Sequence, residues 1–89
     1  MRRILKRVPD PLRALPGVGP AIASDLRALG YSDPADLVGE EPELMYHRLC
    51  DLQGAHVDRC MLYVFRCAVY AASTDRPETE KLKWWNWKD

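Results

Sequence analysis

The chain has 89 residues, room for one small hydrophobic core and not for two. Lysine plus arginine and aspartate plus glutamate each number 13, so no global positive field gathers a polyanion, and contact with nucleic acid has to come from local patches. No apolar run approaches the roughly 20 residues of a membrane span, and Met1-Arg2-Arg3-Ile4-Leu5-Lys6-Arg7 lacks the apolar segment of a secretory signal, so the expectation is a cytoplasmic protein without a membrane partner.

The first seven residues carry Arg2, Arg3, Lys6 and Arg7 with no acid to offset them. They either lend positive charge to a binding site or form a solvated, frayed end. Asp10-Pro11 reads as an N-cap followed by a first-turn proline, opening a short helix through Leu15 with Leu12 and Leu15 facing inward. Pro16-Gly17-Val18-Gly19 then breaks the chain. Its glycines allow positive φ and close backbone approach, and Val18 is an apolar plug between the flanking helices. Pro20 suits the first position of a helix running to Leu29, with Ile22, Leu26 and Leu29 at helical spacing, small Ala23 at a close crossing, and Gly30 as a left-handed cap.

Ser32-Asp33-Pro34 repeats the cap-and-proline signal and predicts a short connector helix over 33–39. Pro42 opens the next helix, in which Leu44, Met45, Arg48, Leu49 and Leu52 follow the helical period until Gly54. From Ser32 to Asp51 the charges are Asp33, Asp36, Glu40, Glu41, Glu43 and Asp51 against Arg48 alone, a combination that repels phosphate. The last long helix is predicted over Asp58 to Ala72 and is apolar nearly all round, which marks it as central. Its remaining stripe is Arg59, Tyr63, Arg66 and Tyr70. That stripe can meet phosphates, stack on a partner's planar groups, or form the amphipathic edge of the core with its arginines paired to acids of neighbouring helices.

After the polar break at Ser73-Thr74-Asp75-Arg76-Pro77 comes Lys81-Leu82-Lys83-Trp84-Trp85-Asn86-Trp87-Lys88-Asp89, with every tryptophan of the chain. Three fates compete for Trp84, Trp85 and Trp87: folding back over the core, docking on another subunit or partner, or stacking on unpaired bases. Folding back is the first expectation in so small a domain. Cys50, Cys60 and Cys67 form an odd set without a CxxC pair, which fits a reducing compartment. Cys60 and Cys67 would stand roughly 10 Å apart on one helix, too far for a disulfide, and buried apolar thiols are expected.

No His/Cys/Asp/Glu set has metal-ligand spacing, no nucleophile lies near a matching base, and no Walker-type lysine follows the glycines. The expectation is a protein that is not an enzyme and uses neither metal nor cofactor. His56 can add charge to its loop when protonated, or is an ordinary loop histidine; His47 stands alone on a helix.

The stretch Leu12 to Leu26 around Pro16-Gly17-Val18-Gly19-Pro20 resembles a helix-hairpin-helix motif. The free amides of Gly17, Val18, Gly19, Ala21 and Ile22 at the second helix's N-terminus would bind an anion. The resemblance implies that this anion is a nucleic-acid phosphate, gripped from the minor-groove side without reading bases. Ala21 stands where many such proteins carry lysine, so one charge-assisted contact is missing. A degenerate repeat aligns Leu49, Leu52, Gly54, Cys60 and Tyr63 with Leu12, Leu15, Gly17, Ala23 and Leu26. It resembles the paired form of the motif, with Ala55 and His56 replacing Val18 and Gly19. The hairpin, Leu62 to Tyr70, and Lys81 to Asp89 together resemble the bacterial helix-hairpin-helix family named pathogenicity locus, some of whose members are labelled mitomycin resistance protein.

The fold expected is all-α, one helix-hairpin-helix domain over 1–89 with about five helices: a first hairpin at 11–29, the connector at 33–39, a degenerate second hairpin at 42–72 and an aromatic C-terminal tail at 73–89. The function expected is that of an accessory protein binding DNA weakly and without sequence preference, through the hairpin amides helped by Arg2, Arg3, Lys6 and Arg7; the resistance label implies a link to DNA repair or damage resistance. The alternative is a protein-interaction or self-assembly module, homo-oligomeric or not, with a purely structural hairpin and a partner held by Arg59, Tyr63, Arg66, Tyr70, Trp84, Trp85 and Trp87.

Overall fold

The helix that is apolar nearly all round becomes the centre of the molecule. In the computed structural model, which describes residues 10–89, it spans Cys60–Ser73 (α3) and follows two earlier α-helices, α1 at Pro20–Ala28 and α2 at Pro42–Gln53. Leu62, Val64, Phe65, Cys67 and Ala68 of α3 are buried, and Phe65 and Leu62 meet Met45, Tyr46 and Leu49 of α2 in the same core. Leu12, Leu15, Val18, Ala23, Leu26, Leu29, Tyr31 and Leu37 complete that core from the first half of the chain. Among the described residues there is no strand.

Among the described residues the expectation of about five helices is corrected to three α-helices and four single 3₁₀ turns, at Pro11–Ala14, Pro34–Leu37, Thr79–Leu82 and Trp84–Trp87. Both cap-and-proline signals work as caps. The Asp10 carboxylate accepts from the Leu12 amide at 3.1 Å, and Asp33 and Asp36 form a reciprocal capping box. Neither start propagates. Leu15 precedes Pro16 and is driven into the extended region at φ −74°, ψ 143°, and Val38 leaves the helical region at φ −61°, ψ 123°. Each turn buries one leucine, Leu12 or Leu37, and ends.

The helix ends are better signalled. At the end of α1 the Tyr31 amide reaches Leu26 O at 3.0 Å and the Gly30 amide reaches Arg27 O at 2.9 Å, the paired bonds of a Schellman closure. Arg48 of α2 donates to Leu29 O at 2.6 Å and to the Tyr31 hydroxyl at 3.2 Å, while that hydroxyl donates to Glu40 at 2.7 Å. A cation is thereby set on the negative end of α1. The start of α3 falls two residues after the expected Asp58, with Arg59 as the residue flanking the helix and the Asp58 carboxylate accepting the Cys60 amide at 2.8 Å.

The internal repeat survives only at its bend. Gly17 and Gly54 both have left-handed backbone, φ 77° and 65°, and Leu12 and Leu49 are both fully buried. The remaining pairs diverge: Leu15 is buried and Leu52 is 57% exposed, Ala23 is buried and Cys60 is exposed. α1 opens on Pro20 directly after its bend, whereas residues 55–59 separate Gly54 from α3, so the second half is not a copy of the first.

Candidate functional site

The bend before α1 is built as a bare donor edge. Leu15 and Val18 turn into the core and pin the loop, leaving Gly17 and Ala21 exposed. The Val18 amide is consumed by Leu15 O at 3.2 Å, which removes Val18 from the expected donor set. The amides of Gly17, Gly19, Ala21 and Ile22 have no backbone acceptor among the described residues, and Pro20 has no amide hydrogen to offer. They lie at the positive end of a nine-residue helix. Only one of the two glycines here has a backbone need for glycine. Gly19 is extended at φ −95° with no atom within 4 Å of a notional Cβ, whereas Gly17 has φ 77° and its notional Cβ would lie 3.0 Å from Trp84 Cδ1.

Trp84 belongs to the closing segment, which folds back. Its indole joins the core and walls a mainly apolar groove of ≈ 350 Å³ with Ile22, Val57, Met61 and Val64, beneath the Gly17 bend. Asp58 stands at the same groove. Charge near the bend is sparse: Arg27 is paired with Asp10, and Arg13 is exposed. Arg2, Arg3, Lys6 and Arg7 lie outside the described residues. The described residues carry nine lysines and arginines against all 13 acids of the chain.

The second candidate surface meets that same segment. Arg59 Nε and the Tyr63 hydroxyl (3.2 Å) both donate to Asp89 Oδ2, while Arg66 Nη2 contacts Asp89 Oδ1 at 3.0 Å. Arg66 also donates to Glu43 of α2 at 3.0 and 3.2 Å and to Trp87 O at 2.8 Å. Tyr70 stacks at a tilt on Trp87, ring centroids 5.4 Å apart, and accepts the Glu78 amide at 2.9 Å. Trp84 and Trp87 are thus held against the chain, whereas Trp85 stays half exposed. The hydrogen bond from Arg59, then that from Arg66, draws the Asp89 carboxyl down from 3.8 to about 2 against the opposing effect of burial.

That shift has a testable sign. Docking lowers the Asp89 pKa, so its contribution is complete above the free value of 3.8 and is lost as pH falls through about 2. Tryptophan emission followed between those two values is expected to show a release phase that Asp89→Asn lacks. Superimposable acid titrations of the two proteins would show that Asp89 does not hold the segment.

Cys60, the first residue of α3, is exposed, contrary to the buried thiol expected; Cys50 is partly buried and Cys67 fully. The Asp58 carboxylate beside Cys60 pushes its thiol pKa up, and burial does the same to Cys67, so both favour the unreactive thiol. His47 and His56 are exposed and stand at one shallow hollow with Cys50 and Asp51. Among the described residues no group of three or more His, Cys, Asp or Glu side chains is arranged to hold a metal ion. No described helix is long and apolar enough to cross a membrane.

Asp89 and Glu43 escape a reading of the sequence. Both act through partners more than twenty positions away, and nothing local distinguishes them from other surface acids.

Fold and site together define a small all-helical protein with an open row of amides at one helix start and a cationic, aromatic helix face covered by its own closing segment. The chain belongs to the family described as Pathogenicity locus (Cdd1), whose model matches residues 6–89. No curated protein and no solved structure matches it.

Proposed function

We propose that this protein is a binding module, not an enzyme, that grips nucleic-acid phosphates without sequence preference through the amides of Gly17, Gly19, Ala21 and Ile22. The supporting observation is the row of four amides without a backbone acceptor among the described residues, in an exposed bend at the positive end of α1. Main-chain donors recognise the phosphate and not the base, which fits an accessory role over a sequence-reading one. The bend's resemblance to a helix-hairpin-helix motif adds DNA as the polymer, and the family's resistance label adds damage repair as the setting. With acids in excess over residues 10–89 and Ala21 in place of lysine, binding is weak and is best sought at low salt.

Gly19→Glu is the decisive variant. The position has ordinary backbone and open space around a Cβ, so the fold is expected to be retained while a negative charge is placed beside the donor row. Loss of charge-assisted hydrogen bonds worth about 1.5–3 kcal/mol predicts about a tenfold to hundredfold drop in affinity for a labelled duplex at low salt. Unchanged affinity with intact circular dichroism, or no binding by the natural protein even at low salt, removes the phosphate-binding function. The competing function, a protein-interaction or self-assembly module, is supported by Trp85, 50% exposed while its neighbours are held down. An aromatic contact of that kind survives added salt.

A further inference from the structure

The donors gathered around Asp89 have the composition of a phosphate site. Arg59, which flanks α3 with helical backbone, and Tyr63 and Arg66 within it lie at i, i+4 and i+7, which brings two guanidinium groups and a phenol to one face. Arg59 and Tyr63 share one carboxylate oxygen and Arg66 takes the other. A carboxylate is a planar anion with two acceptor oxygens; a phosphate group presents a similar pair with further acceptors and more charge, and arginine's fork suits both. Arg66 has a second anchor outside the occupant's segment, since Glu43 of α2 takes its Nε and Nη2. In the occupant's segment the turns Thr79–Leu82 and Trp84–Trp87 contain no fully buried residue, and Asp89 itself is exposed.

We propose that Arg59, Tyr63 and Arg66 form a second anion site, for the phosphate group of a ligand, which Asp89 occupies in cis and thereby keeps closed. The site goes beyond the amide row before α1, uses none of its residues and stands whether or not that row binds nucleic acid. A tethered carboxylate competes at a high effective concentration, so an external phosphate meets the natural protein at a reduced apparent affinity. Glu43 remains on Arg66 after Asp89 leaves and lowers the net charge of the open site, which favours a single phosphate group over a highly charged cluster.

The test uses the full chain and reads the arginine side-chain Nε–Hε resonances of Arg59 and Arg66. Asp89→Asn is expected to bind inorganic phosphate at least about tenfold more tightly than the natural protein, because removing the competing carboxylate raises the fraction of open sites. Adding Arg59→Gln to Asp89→Asn should cancel the gain, and Arg59 is exposed enough that this change leaves the fold intact. Adding Gly19→Glu instead should leave the gain in place, so this site and the amide row fail separately. A 5′-phosphorylated oligothymidylate and its unphosphorylated twin distinguish the sources. A gain for the phosphorylated strand alone supports the site with a terminal phosphate as its ligand, and a gain for both supports it with backbone phosphates. An Asp89→Asn protein that binds phosphate no more tightly than its parent, or a gain that persists without Arg59, overturns the proposal.

Discussion

Gly17→Ala is expected to destabilise the protein by about 2–3 kcal/mol and to change its tryptophan emission, whereas Gly54→Ala costs about 1–2 kcal/mol and leaves the emission alone. The two positions share the left-handed backbone, with φ 77° and 65°, so the strain of placing a Cβ there is common to both. They differ in what that Cβ meets. At Gly54 there is no atom within 4 Å, while at Gly17 Trp84 Cδ1 lies 3.0 Å away and its Cβ and Cγ lie 3.5 Å away. The indole has to move, and it cannot move alone, since Trp84 also packs on the core and forms a T-shaped pair with Trp85. Urea unfolding of both variants, read by fluorescence, isolates the contact between the closing segment and the bend as the difference between the two losses. Equal losses with identical spectra would mean that the indole does not sit under Gly17.

Phe65→Ala carries the largest expected effect, a loss of about 3–5 kcal/mol from a total on the order of 5–15 kcal/mol for a domain of this class. Phe65 is 0% exposed and is the largest fully buried side chain, on the helix that meets α2, the Pro34–Leu37 turn and both turns of the closing segment. A cavity at that junction removes contacts from several elements at once, and none can collapse inward without disturbing another. Leu52→Ala supplies the contrast. That leucine is 57% exposed at the end of α2 and its truncation should stay within about 0.5 kcal/mol. Chemical denaturation of the two variants checks the ranking. A small loss at Phe65 would mean that α3 is not the centre of the core.

The family and the open bend are legible in the residues because their signals are local. Proline at a first helical position, glycine at a left-handed turn and an aspartate cap each act within a few residues, and the structure uses them at Pro20, Pro42, Gly17, Gly54, Asp10 and Asp33. The same signals mislead at Pro11 and Pro34, where a helix start yields a single turn and no more. Starting a turn depends on the cap, but extending it needs helical backbone in the residues beyond, and Leu15 and Val38 are already extended. The donor row also loses a member for a local reason that spacing does not reveal: Val18 both plugs the core and closes a tight turn with its amide.

By itself, then, the order of residues determined an all-helical chain, the starts of α1 and α2, the apolar character of α3 and the alternation of arginine and tyrosine along its face. Only the tertiary structure decided that this alternation meets Asp89 and Trp87 of the same chain, that Trp84 lies against Gly17 while Trp85 faces outward, and that the second half does not copy the first beyond its bend. The physical reason is range. Caps and periodicity act over one or two helical turns and are written where they act, whereas the pairing of Arg59 with Asp89 spans thirty positions and exists only once the core around Phe65 has brought the two ends together.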